Sequence, residues 1–258
     1  MTRVFITGAS SGIGAALARE YAAQGASLGL VARRAEVLAA LAASLPNPQQ
    51  HTIYPLDVTD FSALAAAAQD FIARHGGADI VIASAGVSAG TLTEHPEDQQ
   101  MFDAIMRINV SATVATFTPF IGAMKTQATP RRLVGIGSVA GIRGLPGAGA
   151  YSASKAALLS YCESLRLELK PYGIEVVTIA PGYIDTPMTQ HNAYPMPFLM
   201  APQRFAEAAA RAIAAGASYC VIPWQMGVVA KLLRALPNWL YDRVFSKAPH
   251  KARSGSGR

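Results

Sequence analysis

Short apolar runs alternate with helix-length runs along most of this chain, and that alternation limits the fold more tightly than any other feature. Residues 3–7, 27–32, 52–56, 80–83, 132–136, 175–179 and 219–222 read as strands. Helical spacing fills the intervals: from the first glycine turn to about 24, on to 45, then 61–75, 98–124, 151–170 and 202–215. Pro46 and Pro48 stop the second helix, and Gly76 with Gly77 breaks the third. Every link between strands is too long for a hairpin, so the strands must be joined by right-handed crossovers and run parallel. The expected architecture is α/β, a doubly wound parallel sheet of seven strands with helices on both faces.

One domain suits the 258 residues, of which 51% are apolar and 15% charged. Cys162 and Cys220 stand far apart without metal-ligand spacing, which predicts two buried packing residues in a reduced compartment and no metal site. No uninterrupted apolar stretch approaches the roughly 20 residues a membrane helix needs, and the chain starts almost at once on a strand, so a cytoplasmic location is expected. The net charge of +6 is not interleaved with aromatics except near the end of the sequence, which argues against nucleic acid and for a phosphorylated cofactor or an anionic surface.

In a sheet of this kind ligands bind at the carboxyl ends of the strands, and the unusual residues collect there. Gly8, Ser10, Ser11, Gly12, Ile13 and Gly14 follow the first strand, Arg33 and Arg34 the second, Asp57 and Val58 the third, and Ser84, Ala85 and Gly86 the fourth. Ser138 follows the fifth, and Pro181 and Gly182, with Ile184 and Thr186 beyond, follow the sixth. A glycine turn between strand and helix lets the backbone approach a pyrophosphate and points the helix N-terminus at it, the arrangement of a Rossmann dinucleotide site. Tyr151 and Lys155 lie four apart on one helix face, so a phenol and an ammonium can address one substrate together. A nearby cation should pull the phenol below its ordinary pKa of about 10.

Thr7-Gly8-x-x-x-Gly12-Ile13-Gly14, followed in order by Asn109, Ser138, Tyr151 and Lys155 and then by Pro181-Gly182 and Thr186, resembles the short-chain dehydrogenase/reductase family over residues 3–224. The resemblance implies an oxidoreductase acting on a carbonyl/alcohol pair, with hydride leaving the B face of a nicotinamide. Tyr151 would be the acid in reduction and the base in oxidation, and Ser138 would bond the substrate oxygen. Lys155 would hold the nicotinamide ribose hydroxyls, and Asn109 a water passing protons to solvent. Ala85, Gly86, Pro181, Gly182, Ile184 and Thr186 would complete the cofactor site, with Asp57 and Val58 at the adenine edge. Ser84 departs from the family's Asn-Ala-Gly, keeping a hydroxyl but losing the amide's paired donor and acceptor. The family also forms homodimers and homotetramers, here through the helices around Asn109 and Tyr151 and through the last strand.

Family members that prefer NAD place a carboxylate after the second strand, whereas this chain has Arg33 and Arg34, which suit the 2′-phosphate of NADP. NADP (NADPH) is therefore the expected cofactor over NAD. Residues 185–202 occupy the place of the family's substrate lid; Met188, Met196, Met200, Phe198 and Leu199 would cover a hydrophobic ketone or secondary alcohol, or pack on a partner subunit. His191, in the same segment, is expected to be exposed and not catalytic.

Residues 1–224 read as the catalytic domain and 225–258 as an extension ending in a flexible Ser254–Arg258 tail. Val228, Val229, Leu232, Leu233 and Leu236 repeat at helical spacing; after Pro237, Trp239, Leu240, Val244 and Phe245 resume the pattern. Lys231, Arg234, Arg243, Lys247, Lys251 and Arg253 surround them. Two readings stand: a peripheral contact with the inner face of a membrane, or helices covering the pocket or a subunit interface. A nonenzymatic NADP-binding regulator or membrane-surface protein on the same fold is the competing function, and the intact Tyr151 and Lys155 argue against it.

Overall fold

The computed structural model describes residues 1–128, 130–190, 192, 194–246, 251 and 253. Seven parallel strands form one sheet in the order β3-β2-β1-β4-β5-β6-β7, with β1 Arg3–Thr7, β2 Ser27–Ala32, β3 Thr52–Pro55, β4 Ile80–Ala83, β5 Arg132–Ile136, β6 Glu175–Pro181 and β7 Tyr219–Ile222. Strand order reverses between β1, which pairs with β2, and β4, which flanks β1 on its other side. That reversal opens a crevice beyond the strand ends, where doubly wound sheets hold their ligands.

The helices are α1 Gly12–Ala23, α2 Ala35–Ser44, α3 Phe61–His75, α4 Asp98–Met106, α5 Ala112–Thr126, α6 Gly149–Leu169, α7 Pro202–Ala214, α8 Trp224–Ala235 and α9 Asn238–Phe245. Side chains alternate across each strand, so Val4 and Ile6 enter the core under α1, α2 and α7 while Phe5 enters the core under α3, α5 and α6. On that second face Phe5 packs against Phe71 and Phe120, with ring centroids 5.5 and 4.9 Å away. Gly29 in β2 makes this possible, since a Cβ there would stand 2.7 Å from both Phe5 and Phe71. The ends of α3 show why it starts and stops where the sequence suggests: Asp60 accepts from the Ala63 N–H at 3.0 Å, and Gly76 terminates the helix at φ +70°.

Four features differ from expectation for identifiable reasons. Strand β6 runs two residues further, through Pro181, because pairing with β7 continues to Ile222 and the Gly182 N–H donates to the Ile222 carbonyl at 2.8 Å. The helix expected over 98–124 carries a π-helical turn at residues 107–111 between α4 and α5. Its whole length, Asp98–Thr126, is long and apolar enough to cross a bilayer, but Phe117, Phe120 and Met124 are buried against the rest of the molecule. Cys162 is buried as expected, whereas Cys220 is only half-buried, because β7 is an edge strand with no neighbour on one side.

The apolar stripe of residues 228–245 is divided: Val229, Leu233, Leu236, Leu240 and Phe245 are half-buried, and Trp239 and Val244 are exposed. Met226, Gly227 and Ala230 face inward from α8, while Val228 and Leu232 are exposed. Two of its expected basic companions turn away: Lys251 Nζ donates to Ser88 Oγ at 2.9 Å, and Arg253 pairs with Asp98 and Glu97 at 2.8 Å each. His191, Lys247 and the tail from Ser254 lie outside the described residues.

Candidate active site

A cleft of about 310 Å³ opens at the carboxyl ends of the central strands, and the structure brings the expected residues to its walls, with one exception. The glycine turn forms its floor. Gly8 has φ +70°, and a Cβ there would come within 2.8 Å of the Ala85 backbone; a Cβ on Gly14 would collide with the Gly8 carbonyl. The turn is thus held tight against the end of β4 and against its own helix, and the N-terminus of α1 is left facing the cleft. Thr7 Oγ1 accepts from the backbone N–H groups of Ser84 and Ala85 at 3.2 and 3.3 Å, which fixes the strand end where Ser84 replaces the family's asparagine. Across the opening, Thr186 is the side chain a Cβ on Gly12 would meet, at 3.3 Å.

Arg33 and Arg34 stand at the rim after β2. Arg34 Nη2 donates to Ser10 Oγ at 3.2 Å, and Arg33 lies 3.9 Å from Asp57, a loose pair with both side chains well exposed. Two bonds from Thr59, through its N–H and Oγ1 at 2.8 Å each, hold Asp57 in place. With the nearby Arg33 and Arg107 charges they keep its carboxyl below the usual range. The cradle that side chains on Gly8, Gly12 and Gly14 would fill, the helix N-terminus and the two rim guanidiniums together fit a nicotinamide dinucleotide with its phosphates.

The reactive groups line the opposite wall. Ser138 begins the turn after β5, its Oγ accepting from the Ala140 N–H at 3.1 Å and lying beside the Tyr151 phenol. Tyr151 and Lys155 rise from α6 one turn apart, the ammonium 5.8 Å from the phenol ring centroid and donating to the Ile136 carbonyl at 2.8 Å. Gly86 covers this corner; a Cβ there would meet Asn109 Oδ1 at 3.3 Å and Lys155 Nζ at 3.7 Å.

Asn109 is the exception. It sits behind the wall in the π-helical turn, buried. Its Oδ1 accepts from the Val87 N–H at 2.9 Å, and its Nδ2 donates to the Val87 carbonyl at 3.0 Å and to Ser154 Oγ at 2.9 Å. Ser154 Oγ in turn donates to the Tyr151 carbonyl at 2.8 Å. The asparagine side chain therefore ties the loop after β4 to the helix that carries the phenol. Sequence reasoning missed Ser154 and Val87, although Ser154 lies inside the Tyr151–Lys155 pentapeptide, whose polar spacing was the available signal.

The electrostatics also differ from expectation. Burial pushes the Tyr151 phenol up from its ordinary value, with the Ser138 hydroxyl opposing. Burial likewise lowers Lys155 to about 8. Within the chain alone desolvation is the largest influence on each group, and both are driven toward their neutral forms.

Residues 2–195 match the family model described as short chain dehydrogenase. An uncharacterized oxidoreductase of Myxococcus xanthus is 37% identical over 239 residues, covering 92% of this chain and 93% of that one. Among solved structures, a short-chain dehydrogenase from Streptomyces avermitilis superposes with a TM-score of 0.78 at 24% identity, covering 95% of this chain and 99% of that one. A 3-ketoacyl-(acyl-carrier-protein) reductase from Brucella melitensis, complexed with NADH, superposes with a TM-score of 0.76 at 25% identity, covering 86% and 96%.

Proposed function

The chain belongs to the short-chain dehydrogenase family, and from that premise we propose that it is an NADP-dependent oxidoreductase interconverting a hydrophobic ketone and its secondary alcohol. The observation that carries the proposal is the convergence of Ser138, Tyr151 and Lys155 on the wall of a cleft whose floor is the glycine turn. NADPH, when bound, supplies the hydride. The chain's residues supply the rest. Tyr151 Oη gives its proton to the carbonyl oxygen in reduction and takes it back in oxidation, while Ser138 Oγ bonds the same oxygen and stabilises its developing negative charge.

Lys155, once protonated beside the phenol, favours the phenolate left behind and returns a proton to it. Asn109 acts here as a positioning residue: its bonds to Val87 and Ser154 hold the cleft wall and α6 in register. Arg33 and Arg34 support NADP over NAD because they stand directly after β2, where a carboxylate in their place would repel a 2′-phosphate. Met188 on the cleft wall supports an apolar substrate. The long helices α4, α5 and α6, with exposed Phe102 and Leu167, are the proposed subunit contact of a dimer or tetramer.

The test is a series of ketones of increasing chain length, assayed with NADPH and with NADH. Activity that rises with chain length and favours NADPH supports the proposal. In the combined Arg33→Ala, Arg34→Ala variant, kcat/KM for NADPH should fall by about 10- to 100-fold, as expected for loss of charge-assisted phosphate bonds, with little change for NADH. Equal efficiency with both cofactors, unaltered in that variant, would remove the NADP assignment while leaving the oxidoreductase reading intact.

A further inference from the structure

Both tryptophans of the chain lie on the C-terminal helices, and both point outward: Trp224 in α8 is 71% exposed and Trp239 in α9 is 70% exposed. Val228 and Leu232 follow Trp224 at helical intervals of four on the outer face of α8, and Val244 is exposed on α9. These helices do not hang loosely. Arg143, in the loop after Ser138, donates from Nη1 to the carbonyls of Leu233, Arg234 and Leu236 at 2.8–3.2 Å, and its guanidinium stacks 4.0 Å above the Tyr241 ring. The exposed apolar side chains are therefore presented by an anchored surface.

The surface continues onto the segment that walls the cleft. Phe198 and Leu199 line one recess with Trp224, and Met188 from the same segment lines the cleft. Phe198 is held at φ +57°, a backbone region unfavourable for a bulky side chain, and is exposed there. Lys231, Arg234 and Arg243 are exposed on α8 and α9, against a single carboxylate, Asp242.

We propose that α8 and α9 dock this protein on an anionic bilayer surface, with Trp224 and Trp239 at the headgroup boundary and Lys231, Arg234 and Arg243 on the lipid phosphates. Charge decides between this occupant and a second copy of the chain. A two-fold contact would put the same three cations on both sides with one carboxylate each, whereas anionic headgroups complement them. Docking would turn the Phe198–Leu199 recess, adjoining the cleft, toward the source of apolar compounds. The reading stands independently of the catalytic proposal, since its test measures binding alone.

Because the chain has no tryptophan elsewhere, its intrinsic fluorescence reports this face directly. The full chain is mixed with phosphatidylcholine vesicles with and without phosphatidylglycerol, and bound protein is measured by co-sedimentation. The expected result is a blue shift and co-sedimentation only with the anionic vesicles, reversed by raised salt. Lys231→Gln combined with Arg234→Gln should weaken binding by about 25-fold, near fivefold for each cation removed from the surface. Trp224→Ser should weaken it by about tenfold, the factor expected from withdrawing one large apolar side chain. These residues are exposed, and circular dichroism checks that each variant stays folded. Failure of the intact chain to bind anionic vesicles overturns the proposal, as do equal binding to neutral vesicles or full binding by both variants. Concentration-dependent association abolished by Trp224→Ser, without vesicle binding, would assign the face to a second copy instead.

Discussion

Lys155 is an amine that the fold holds at a cost. Its pKa falls from the ordinary 10.5 to about 8 because burial strips its hydration. Between those values the unfolded chain binds a proton there that the folded chain does not, so this residue makes stability rise as pH increases from about 8 toward 10.5. Below pH 8 both states are protonated and the burial cost is present in full. Thermal unfolding of the free protein should accordingly show a Tm gap between Lys155→Met and the parent chain that is widest below pH 8 and narrows above it; a constant gap would contradict the lowered pKa. Tyr151→Phe separates chemistry from binding at the same site. It should reduce kcat by about 10²- to 10⁴-fold, the range for losing a general acid, while leaving NADPH affinity near the parent value. Turnover close to normal would take the phenol out of the mechanism.

At the level of elements, the C-terminal helices and the loop after Ser138 form one unit through Arg143, whose guanidinium serves as a cap for the carbonyl end of α8 and as a stacking partner for Tyr241. Arg143→Ala should lower stability by about 2 kcal/mol, the scale of lost charge-assisted bonds, and speed hydrogen exchange in α8 and α9 more than in the sheet. Uniform acceleration across the molecule would mean the latch is not local. Such a contact spans about ninety residues of sequence, and nothing in local pattern announces it. The strands were legible because apolar runs bounded by glycine and proline have few alternatives, and the gathering of Ser138, Tyr151 and Lys155 at one cleft because each follows a strand end or shares a helix face. The π-helical turn at Asn109 was not legible: helical spacing looks the same with one extra residue in a turn. Nor was the balance of charge around Tyr151, which depends on burial that only the assembled walls create. Which side of α8 packs inward was not legible for a related reason, since Val228 and Leu232 share the helical spacing and only the neighbours reveal that Met226 and Ala230 are the buried residues.

Across the whole molecule, apolar side chains from both sheet faces and anchored helices give one body whose functional surface is assembled from the ends of six strands and the start of three helices. The net charge of +6 is spread over that body, and its outward effects should be sensitive to salt. Gel filtration at low and high salt therefore provides a check on the proposed subunit contact: an apolar helix interface keeps its oligomeric state as salt rises, whereas a charge-held one dissociates. The order of the strands carries a further consequence. From β1 outward one flank holds β2 and β3, and the other accepts β4, β5, β6 and β7 in the order in which they are encoded. A chain emerging from the ribosome can thus add each new strand at an edge of the growing sheet, β4 beside β1 and every other strand beside the one just placed, without inserting between neighbours already joined. Until Tyr219–Ile222 arrives, the open backbone edge is one of the central strands β4, β5 or β6, which a chaperone, or a stray strand from another nascent chain, could cover; afterwards it is the short β7.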